Sequence, residues 1–167
     1  STLEVSTLSS RRLHVGGVDP ERISIVHAGV RVAEVRSETP ASDAPEILSL
    51  GRLIAHKRHD LVLTALLRVR AMGIPARLGV VGDGPERDAL LRMTKELSLS
   101  EHVTFYGALP HDHQVWALLR GTRVLALPSE REGFGLAIAE GLAAGAAVIT
   151  SRHLDNEARH LVDEGET

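Results

Sequence analysis

Two carboxylates flank a glycine-rich stretch of the chain, and two cationic side chains precede them in the sequence. Glu132 and Glu140 enclose seven residues that include two glycines, and Arg52 and Lys57 lie well upstream of them. An arginine offers a bidentate fork to a phosphate, a lysine offers a point charge, and the amides of a glycine-rich helix start are further donors. These residue types together suit a diphosphate, with sugar hydroxyls as partners of the carboxylates.

The position of Glu140 supports the same chemistry. It falls about one turn into a helix that is predicted to start near Gly135, and helical side chains lean toward the N-terminus. Its carboxylate would then point back toward a bound ligand, in reach of ribose hydroxyls. A simpler interpretation stays open at this point, because the helix dipole alone favours acidic residues near a helix start and loop cations are commonly solvated.

Five short apolar runs alternate with segments of helical periodicity, the pattern of repeated β-α units. The predicted strands cover residues 47–50, 78–81, 103–105, 124–127 and 147–150, and the predicted helices cover residues 60–72, 85–97, 111–120, 135–145 and 156–162. Crossover helices imply a parallel sheet with helices on both faces, which is a doubly wound, Rossmann-like α/β fold of three layers, α/β/α. The unbroken apolar character of the strands predicts burial on both of their faces.

The ligand site of such a sheet lies beyond the carboxyl ends of the strands, where the strand order reverses. A 3-2-1-4-5 order would place the first and fourth of these strands side by side. Arg52 and Lys57, which follow the first strand, would then face residues 132–135, which follow the fourth.

The first 45 residues differ from the rest. We expect a helix over residues 1–15, a strand over residues 23–26 and a polar linker over residues 37–45, which contains two prolines. The pattern is typical of a segment that leads into the sheet domain rather than of part of it.

Composition excludes several classes of function. With 43% apolar and 25% charged residues the chain is typical of a globular protein, and without cysteine it has neither disulfides nor thiolate chemistry. A net charge of −3 and only four aromatic residues, Phe105, Tyr106, Trp116 and Phe134, argue against a nucleic-acid partner. No apolar run is long enough to span a membrane. The 19 basic residues include two lysines, Lys57 and Lys95, an arginine bias typical of GC-rich bacterial genomes.

Five motifs, in order along the chain, resemble those of the retaining glycosyltransferases of the family 4 type, which have the GT-B fold. They are residues 48–52 with Lys57, residues 81–85, residues 103–107, residues 127–129, and the stretch from Glu132 to Glu140. Each follows a predicted strand, and the resemblance covers about residues 23–162. Residues 151–156 depart from the family, which usually has two glycines there.

The resemblance implies one half of a GT-B fold. Residues 46–167 would be a nucleotide-sugar donor-binding domain that is truncated at its C-terminal end, and residues 1–45 would be a lead-in and interdomain segment from an absent N-terminal acceptor domain. The full-length protein would transfer a hexose, with retention, from a UDP- or GDP-sugar to an unknown acceptor. We expect the chain alone to bind nucleotide without transferring sugar, and we expect the site to need neither a cofactor nor a metal. The expected location is the cytoplasm, where only the absent domain would contact a membrane.

The resemblance also assigns roles to residues. Arg52 and Lys57 would hold the diphosphate and stabilise the leaving nucleotide, Glu132 would lie beside the donor sugar as the third catalytic residue, and Glu140 would bind the ribose. The other residues assigned to the nucleotide sugar are Gly51, Gly82, Gly84, Tyr106, Leu109, Gly133, Phe134, Gly135 and Leu136.

Other polar or aromatic side chains receive simpler interpretations. The run from His111 to His113 is the nearest candidate for a metal site, but its place after Pro110 favours a helix cap. We expect Trp116 to pack in the core, and His56 and His59 to be solvated loop residues.

Two alternatives stay open. The first is a nucleotide-binding module without transferase activity, although residues 82–84 lack the third glycine of a dinucleotide fingerprint and no Gly-Lys-Ser or Gly-Lys-Thr occurs for a P-loop. The second is an epimerase or hydrolase with the GT-B fold that acts on the same nucleotide sugar, which analysis of products would distinguish.

Overall fold

The computed structural model describes residues 2–4, 10, 13–26, 28–162 and 165, and of residues 2–4 only the backbone. Within these ranges, seven strands and five α-helices have both of their ends described. In chain order they are β1 Thr2–Glu4, β2 Ile23–Ile25, α1 Val32–Ser37, β3 Ile47–Leu50, α2 His59–Ala71, β4 Leu78–Val81, α3 Arg87–Glu96, β5 Val103–Gly107, α4 Asp112–Gly121, β6 Val124–Leu127, α5 Leu136–Ala144 and β7 Ala147–Thr150. Short 3-10 turns cover Pro20–Arg22, Ala55–Lys57 and Glu157–Leu161.

Strands β3 to β7 form one parallel sheet in the order β5-β4-β3-β6-β7. Leu48 of β3 pairs with Gly79 of β4 on one side and with Leu125 of β6 on the other. The order therefore reverses between β3 and β6, which is the 3-2-1-4-5 arrangement considered from the sequence. The doubly wound α/β class is confirmed with it.

Helices cover both faces of this sheet. On one face α2 and α3 bury an apolar cluster that includes Leu66 and Leu78. On the other face α4 and α5 bury a second cluster that includes Leu119, Leu125 and Ile138. Leu66 and Leu119 are fully buried, so truncating either one to alanine would cost about 2–5 kcal/mol. These two layers fix the sheet from which the loops of the candidate site project.

Helix α1 packs with the second layer although it precedes the predicted start of the sheet domain. Val35 is fully buried in that cluster, and the amide of Ala41 donates to the carbonyl of Ala117 in α4. This part of the predicted linker is thus packed against the sheet domain. The domain boundary at residue 45 stays a prediction.

The helix expected over residues 1–15 is wrong at its beginning. Residues 2–4 form β1, which pairs in parallel with β2, and residues 13–15 are helical. The rest of that expectation lies largely outside the described residues. Pairing with Ile23–Ile25 satisfies the backbone groups of residues 2–4 in a ladder instead of a helix. The predicted strand at residues 23–26 is confirmed.

Burial on both faces fails at β7, which lies at the edge of the sheet. Val148 is buried, but Ile149, which points to the opposite face, is 56% exposed. It lines an apolar groove of about 640 Å³ with Val62 and Ala126, between α2 and the outer strands.

Among the described residues, no helix has both the length and the apolar character needed to cross a bilayer.

Candidate functional site

The loops that follow β3 and β6 meet at the carboxyl edge of the sheet, where the strand order reverses. Nζ of Lys57 lies 2.5 Å from Oε2 of Glu132, and the two side chains are only 18% and 19% exposed. The stem of Lys57 runs past Gly51, where a Cβ would lie 3.9 Å from Lys57 Cε. For Lys57, this is the juxtaposition that a 3-2-1-4-5 strand order implies. It places a cation, a carboxylate and the start of α5 within one small region.

The backbone of Glu132 is held by the loop that follows β7. Its amide donates to the carbonyl of Asp155, and its own carbonyl accepts from the amide of Glu157, each at 3.1 Å. These bonds form a short parallel bridge between Glu132 and Asn156. The position of this carboxylate is therefore set by residues 155–157 as well as by β6.

Asn156 fixes that loop and was not identified from the sequence. Its side chain is fully buried, with Nδ2 donating to Thr150 Oγ1 and to the carbonyl of Ser151, each at 2.9 Å. Its Oδ1 accepts from the amide of Ala158 at 3.1 Å, which caps the turn Glu157–Leu161. The sequence did contain one signal for this role, because asparagine directly before a helical segment is a common N-cap residue.

Gly135 brings the start of α5 against this loop. It has φ of +85°, and a Cβ there would lie 2.3 Å from Ala158 Cβ and 3.6 Å from Glu132 Cγ. The first amides of a helix have no partner within the helix, and here they lie beside Glu132. The same turn contains Gly133 and Phe134, which are partly buried, and Leu136, which is 45% exposed. The helix start can therefore present donors to an anion.

Arg58 joins the loops after β3 and β6 a second time. It pairs with Glu130 at 2.8 Å and with Asp60 at 3.0 Å, while the Glu130 amide donates to the carbonyl of His56 at 2.7 Å. Hydrogen bonds with Asp60 and then with Glu130 raise the pKa of Arg58, and those from Arg58 lower the pKa of Asp60. Arg58 adopts a left-handed backbone conformation with φ of 56°, which is uncommon without a glycine. The pair of Arg58 with Glu130 thus links the two loops that carry Lys57 and Glu132.

Arg52 lies at the rim of the same site. Its side chain is exposed, and it forms no ion pair with a described residue. The structure therefore places Arg52 on the same loop as Lys57 but does not bring it onto Glu132. A flexible, exposed guanidinium can still reach a phosphate at this edge.

Gly51, Gly82 and Gly84 lie behind this rim and hold the loops together. A Cβ on Gly82 would lie 2.0 Å from the carbonyl oxygen of Gly51, and one on Gly84 would lie 2.4 Å from that of Leu53. The Leu53 amide donates to the carbonyl of Asp83 at 2.9 Å. Packing of the loops after β3 and β4 thus explains Gly82 and Gly84 without a ligand.

His59 is buried, so the expectation of a solvated loop histidine is wrong for this residue. Its side chain is 3% exposed at the start of α2, and its Nδ1 lies 2.9 Å from the hydroxyl of Ser49 on β3. Burial lowers the pKa of His59, and the charge of Lys57 lowers it further. A neutral imidazole therefore supports the base of the Arg52–Lys57 loop. His56 is partly buried.

Glu140 contacts a residue that we expected only to pack. Trp116 is buried as predicted, and its Nε1 donates to Glu140 Oε1 at 2.9 Å. Tyr106 lies within β5 and Leu109 follows it, both partly buried, and burial raises the pKa of Tyr106. The ring of Tyr106 points back over the sheet, where it packs on Gly79 of β4 beside Pro45, and it does not face the carboxyl edge.

The two histidines at the start of α4 pack against each other. His111 and His113 stack with ring centroids 5.4 Å apart, and Asp112 between them pairs with Arg31. Among the described residues, no group of three histidine or acidic side chains is arranged to hold a metal ion.

The fold and the position of the site define a doubly wound α/β domain with its ligand edge between β3 and β6. The chain belongs to the family described as glycosyl transferases group 1, whose sequence profile matches residues 31–167. The predicted resemblance to GT-B glycosyltransferases is thereby confirmed.

Curated relatives support this membership. Over 145 residues the chain is 32% identical to the D-inositol 3-phosphate glycosyltransferases of Mycobacterium bovis and Mycobacterium tuberculosis. The match covers 81% of this chain and 30% of each relative, so the chain spans about a third of their length.

Solved structures show the same fold. HepE of Anabaena, determined in complex with UDP-glucose, superposes with a TM-score of 0.79 at 19% identity, covering 98% of this chain and 47% of that one. The lipopolysaccharide outer core galactosyltransferase WaaB superposes with a TM-score of 0.70 at 25% identity, covering 98% and 46%.

Proposed function

We propose that this chain is the donor-binding domain of a retaining glycosyltransferase and that it binds the diphosphate of a UDP- or GDP-sugar at the carboxyl ends of β3 and β6. The observation that carries the proposal is the contact of Lys57 with Glu132, across the reversal of strand order and beside the start of α5. Such a reversal is where open α/β sheets bind their ligands.

The charges near that contact suit a diphosphate. A lysine ammonium has three protons, so Lys57 can keep its bond to Glu132 and still donate to phosphate oxygens. Arg52 at the rim adds a second cation, and the first amides of α5 add donors that carry the positive end of the helix dipole. Partial burial of Lys57 strengthens its interaction with an anion.

These groups would also assist the chemical step. Transfer breaks the bond between the anomeric carbon and the β-phosphate oxygen, and the electron pair remains on the departing diphosphate. Lys57 and Arg52 stabilise that developing charge more strongly than the charge of the intact donor. The oxygen of the acceptor hydroxyl forms the new bond to the anomeric carbon, and its proton is released. Retention requires that this bond form on the face from which the phosphate departs.

The remaining assigned residues would bind the rest of the donor. Glu140 would accept from ribose hydroxyls through the oxygen that Trp116 does not occupy. Glu132, held by residues 155–157, would lie beside the sugar, and Leu109, in the loop after β5, would lie beside the base. The UDP-glucose complex of HepE makes uracil the first base to test.

The whole protein would require a second domain. The curated relatives are about three times as long as the matched region, and we propose that additional chain supplies the acceptor site. The donor site itself would work without a metal or other cofactor, because its own cations neutralise the diphosphate. Addition of EDTA should therefore leave nucleotide affinity unchanged. We place the protein in the bacterial cytoplasm, where nucleotide sugars are made.

The experiment is calorimetric titration of the chain with UDP, GDP, ADP and NAD. We expect selective binding of UDP or GDP, and no sugar transfer by the chain alone. Selective binding of NAD would favour the nucleotide-binding module without transferase activity, and binding of none would contradict the proposal. For the full-length protein, a glycosylated acceptor as product would exclude the epimerase and the hydrolase.

A further inference from the structure

A buried indole lies directly behind the carboxylate of Glu140. Trp116 is 5% exposed, and its Nε1 lies 2.9 Å from Glu140 Oε1, which joins α4 to α5. An indole nitrogen can only donate, and a buried donor without a partner is costly. Glu140 is the acceptor that satisfies it, so the bond restrains the carboxylate to one orientation.

The outer face of the indole is covered by a cation. The guanidinium carbon of Arg31 lies 4.7 Å from the centroid of the Trp116 ring. Arg31 is itself held by ion pairs with Glu34 on α1 and Asp112 on α4. Trp116 also belongs to the second apolar cluster. The indole is thus fixed by three helices, and a fixed donor can hold the carboxylate of Glu140 in place.

We propose that Trp116 is a positioning residue for nucleotide binding, which orients Glu140 so that its Oε2 faces the ribose hydroxyls. This inference rests on the proposed function, in which Glu140 binds the ribose. A glutamate without such support must lose rotamer freedom when it binds a ligand, whereas a preorganised one does not. The indole therefore contributes to affinity without touching the nucleotide.

The test compares two ligands in Trp116→Phe, which keeps an aromatic ring and removes the donor. Calorimetry should show UDP binding weakened by about 3- to 10-fold, the usual value of one hydrogen bond, and binding of 2′,3′-dideoxy-UDP unchanged. GDP and its dideoxy analogue serve if the chain selects guanine. Leu118→Val, a small truncation in the same helix and the same apolar cluster, is the matched control and should change neither affinity. Equal weakening of both ligands, or of neither, would overturn the positioning role.

A second measurement needs no substitution, because Trp116 is the sole tryptophan of the chain. Saturation with UDP should change its fluorescence, since the ribose perturbs the acceptor of its N–H, and saturation with 2′,3′-dideoxy-UDP should change it much less. Identical spectra with both bound ligands would overturn the inference. If the wild-type chain bound UDP and the dideoxy analogue equally well, the ribose role of Glu140 would fail. If the wild-type chain preferred UDP to the dideoxy analogue and Trp116→Phe kept that preference, the positioning role of Trp116 would fail and the ribose role of Glu140 would stand.

Discussion

Lys57 and Glu132 are 75 residues apart in sequence, yet Nζ and Oε2 lie 2.5 Å from each other. The contact depends on the order of the strands, because only the neighbours β3 and β6 bring the two loops to one point. The loop after β7 then holds the backbone of Glu132. Three strands that are neighbours in the sheet, β3, β6 and β7, therefore position this pair.

The start of α5 should be sensitive to any side chain at Gly135. Gly135→Ala would place a Cβ 2.3 Å from Ala158 Cβ, at a φ of +85°. Positive φ costs about 1–2 kcal/mol for a non-glycine residue, and the clash adds to it. Thermal unfolding should show a fall in Tm, and nucleotide affinity should fall because Ala158 and Glu132 are displaced together.

Gly145→Ala is the matched control at the other end of the same helix. Gly145 has φ of +87°, but nothing lies within 4 Å of its ideal Cβ. The Gly145→Ala variant has the same conformational cost of a positive φ without the clash, so it should leave nucleotide affinity unchanged. If the two variants lost equal stability and both bound nucleotide normally, close packing at Gly135 would be unimportant.

Asn156 should be needed for the loop that holds Glu132. Asn156→Ala leaves the Thr150 hydroxyl, the Ser151 carbonyl and the Ala158 amide without this partner. We expect a loss of about 2–3 kcal/mol, or roughly 5–10 °C in Tm, together with weaker nucleotide binding. Both can be measured by thermal unfolding and calorimetry.

The control for Asn156 is Leu99→Ala, a truncation in the first apolar cluster. It should lower Tm to a similar extent and leave affinity intact. Loss of stability in Asn156→Ala with full nucleotide affinity would separate the loop from the site and contradict the account of Glu132.

The buried imidazole of His59 makes stability depend on pH. Burial lowers the pKa of His59 below its ordinary value of 6.5, so the unfolded chain binds a proton there more readily than the folded one. This contribution to stability is complete above pH 6.5 and is lost as the pH falls toward the folded pKa. Denaturant unfolding at a series of pH values should show a decline that is smaller in His59→Gln. His113→Gln, at an exposed histidine, should retain the wild-type decline.

The sheet was predictable because its strands are compact apolar runs. Four strands have the predicted bounds, namely β3, β4, β6 and β7. Strand β5 extends two residues beyond its prediction. Glycines at both ends of α5 marked its limits. The sequence did not fix the strand order. The 3-2-1-4-5 order was one possibility, and under it Lys57 was expected opposite Glu132.

The residues that support the site could not be predicted, since each depends on one contact between distant elements. Nothing in the periodicity of α4 shows that Trp116 donates to Glu140, or that His59 turns inward to Ser49. The loop after β7 carries no pattern that reveals its bridge to Glu132. The exposed edge at Ile149 was missed because an apolar run looks the same in a central strand and in an edge strand.

The most direct test of the donor site compares Lys57→Ala with Lys95→Ala, which removes the other lysine of the chain from the exposed face of α3. Calorimetry with UDP and with uridine separates the contribution of the diphosphate from that of the nucleoside. We predict that Lys57→Ala weakens UDP binding by roughly 10- to 100-fold and leaves uridine binding unchanged, while Lys95→Ala changes neither. An equal loss for UDP and uridine, or an equal effect of the two substitutions, would contradict the assignment of Lys57 to the diphosphate.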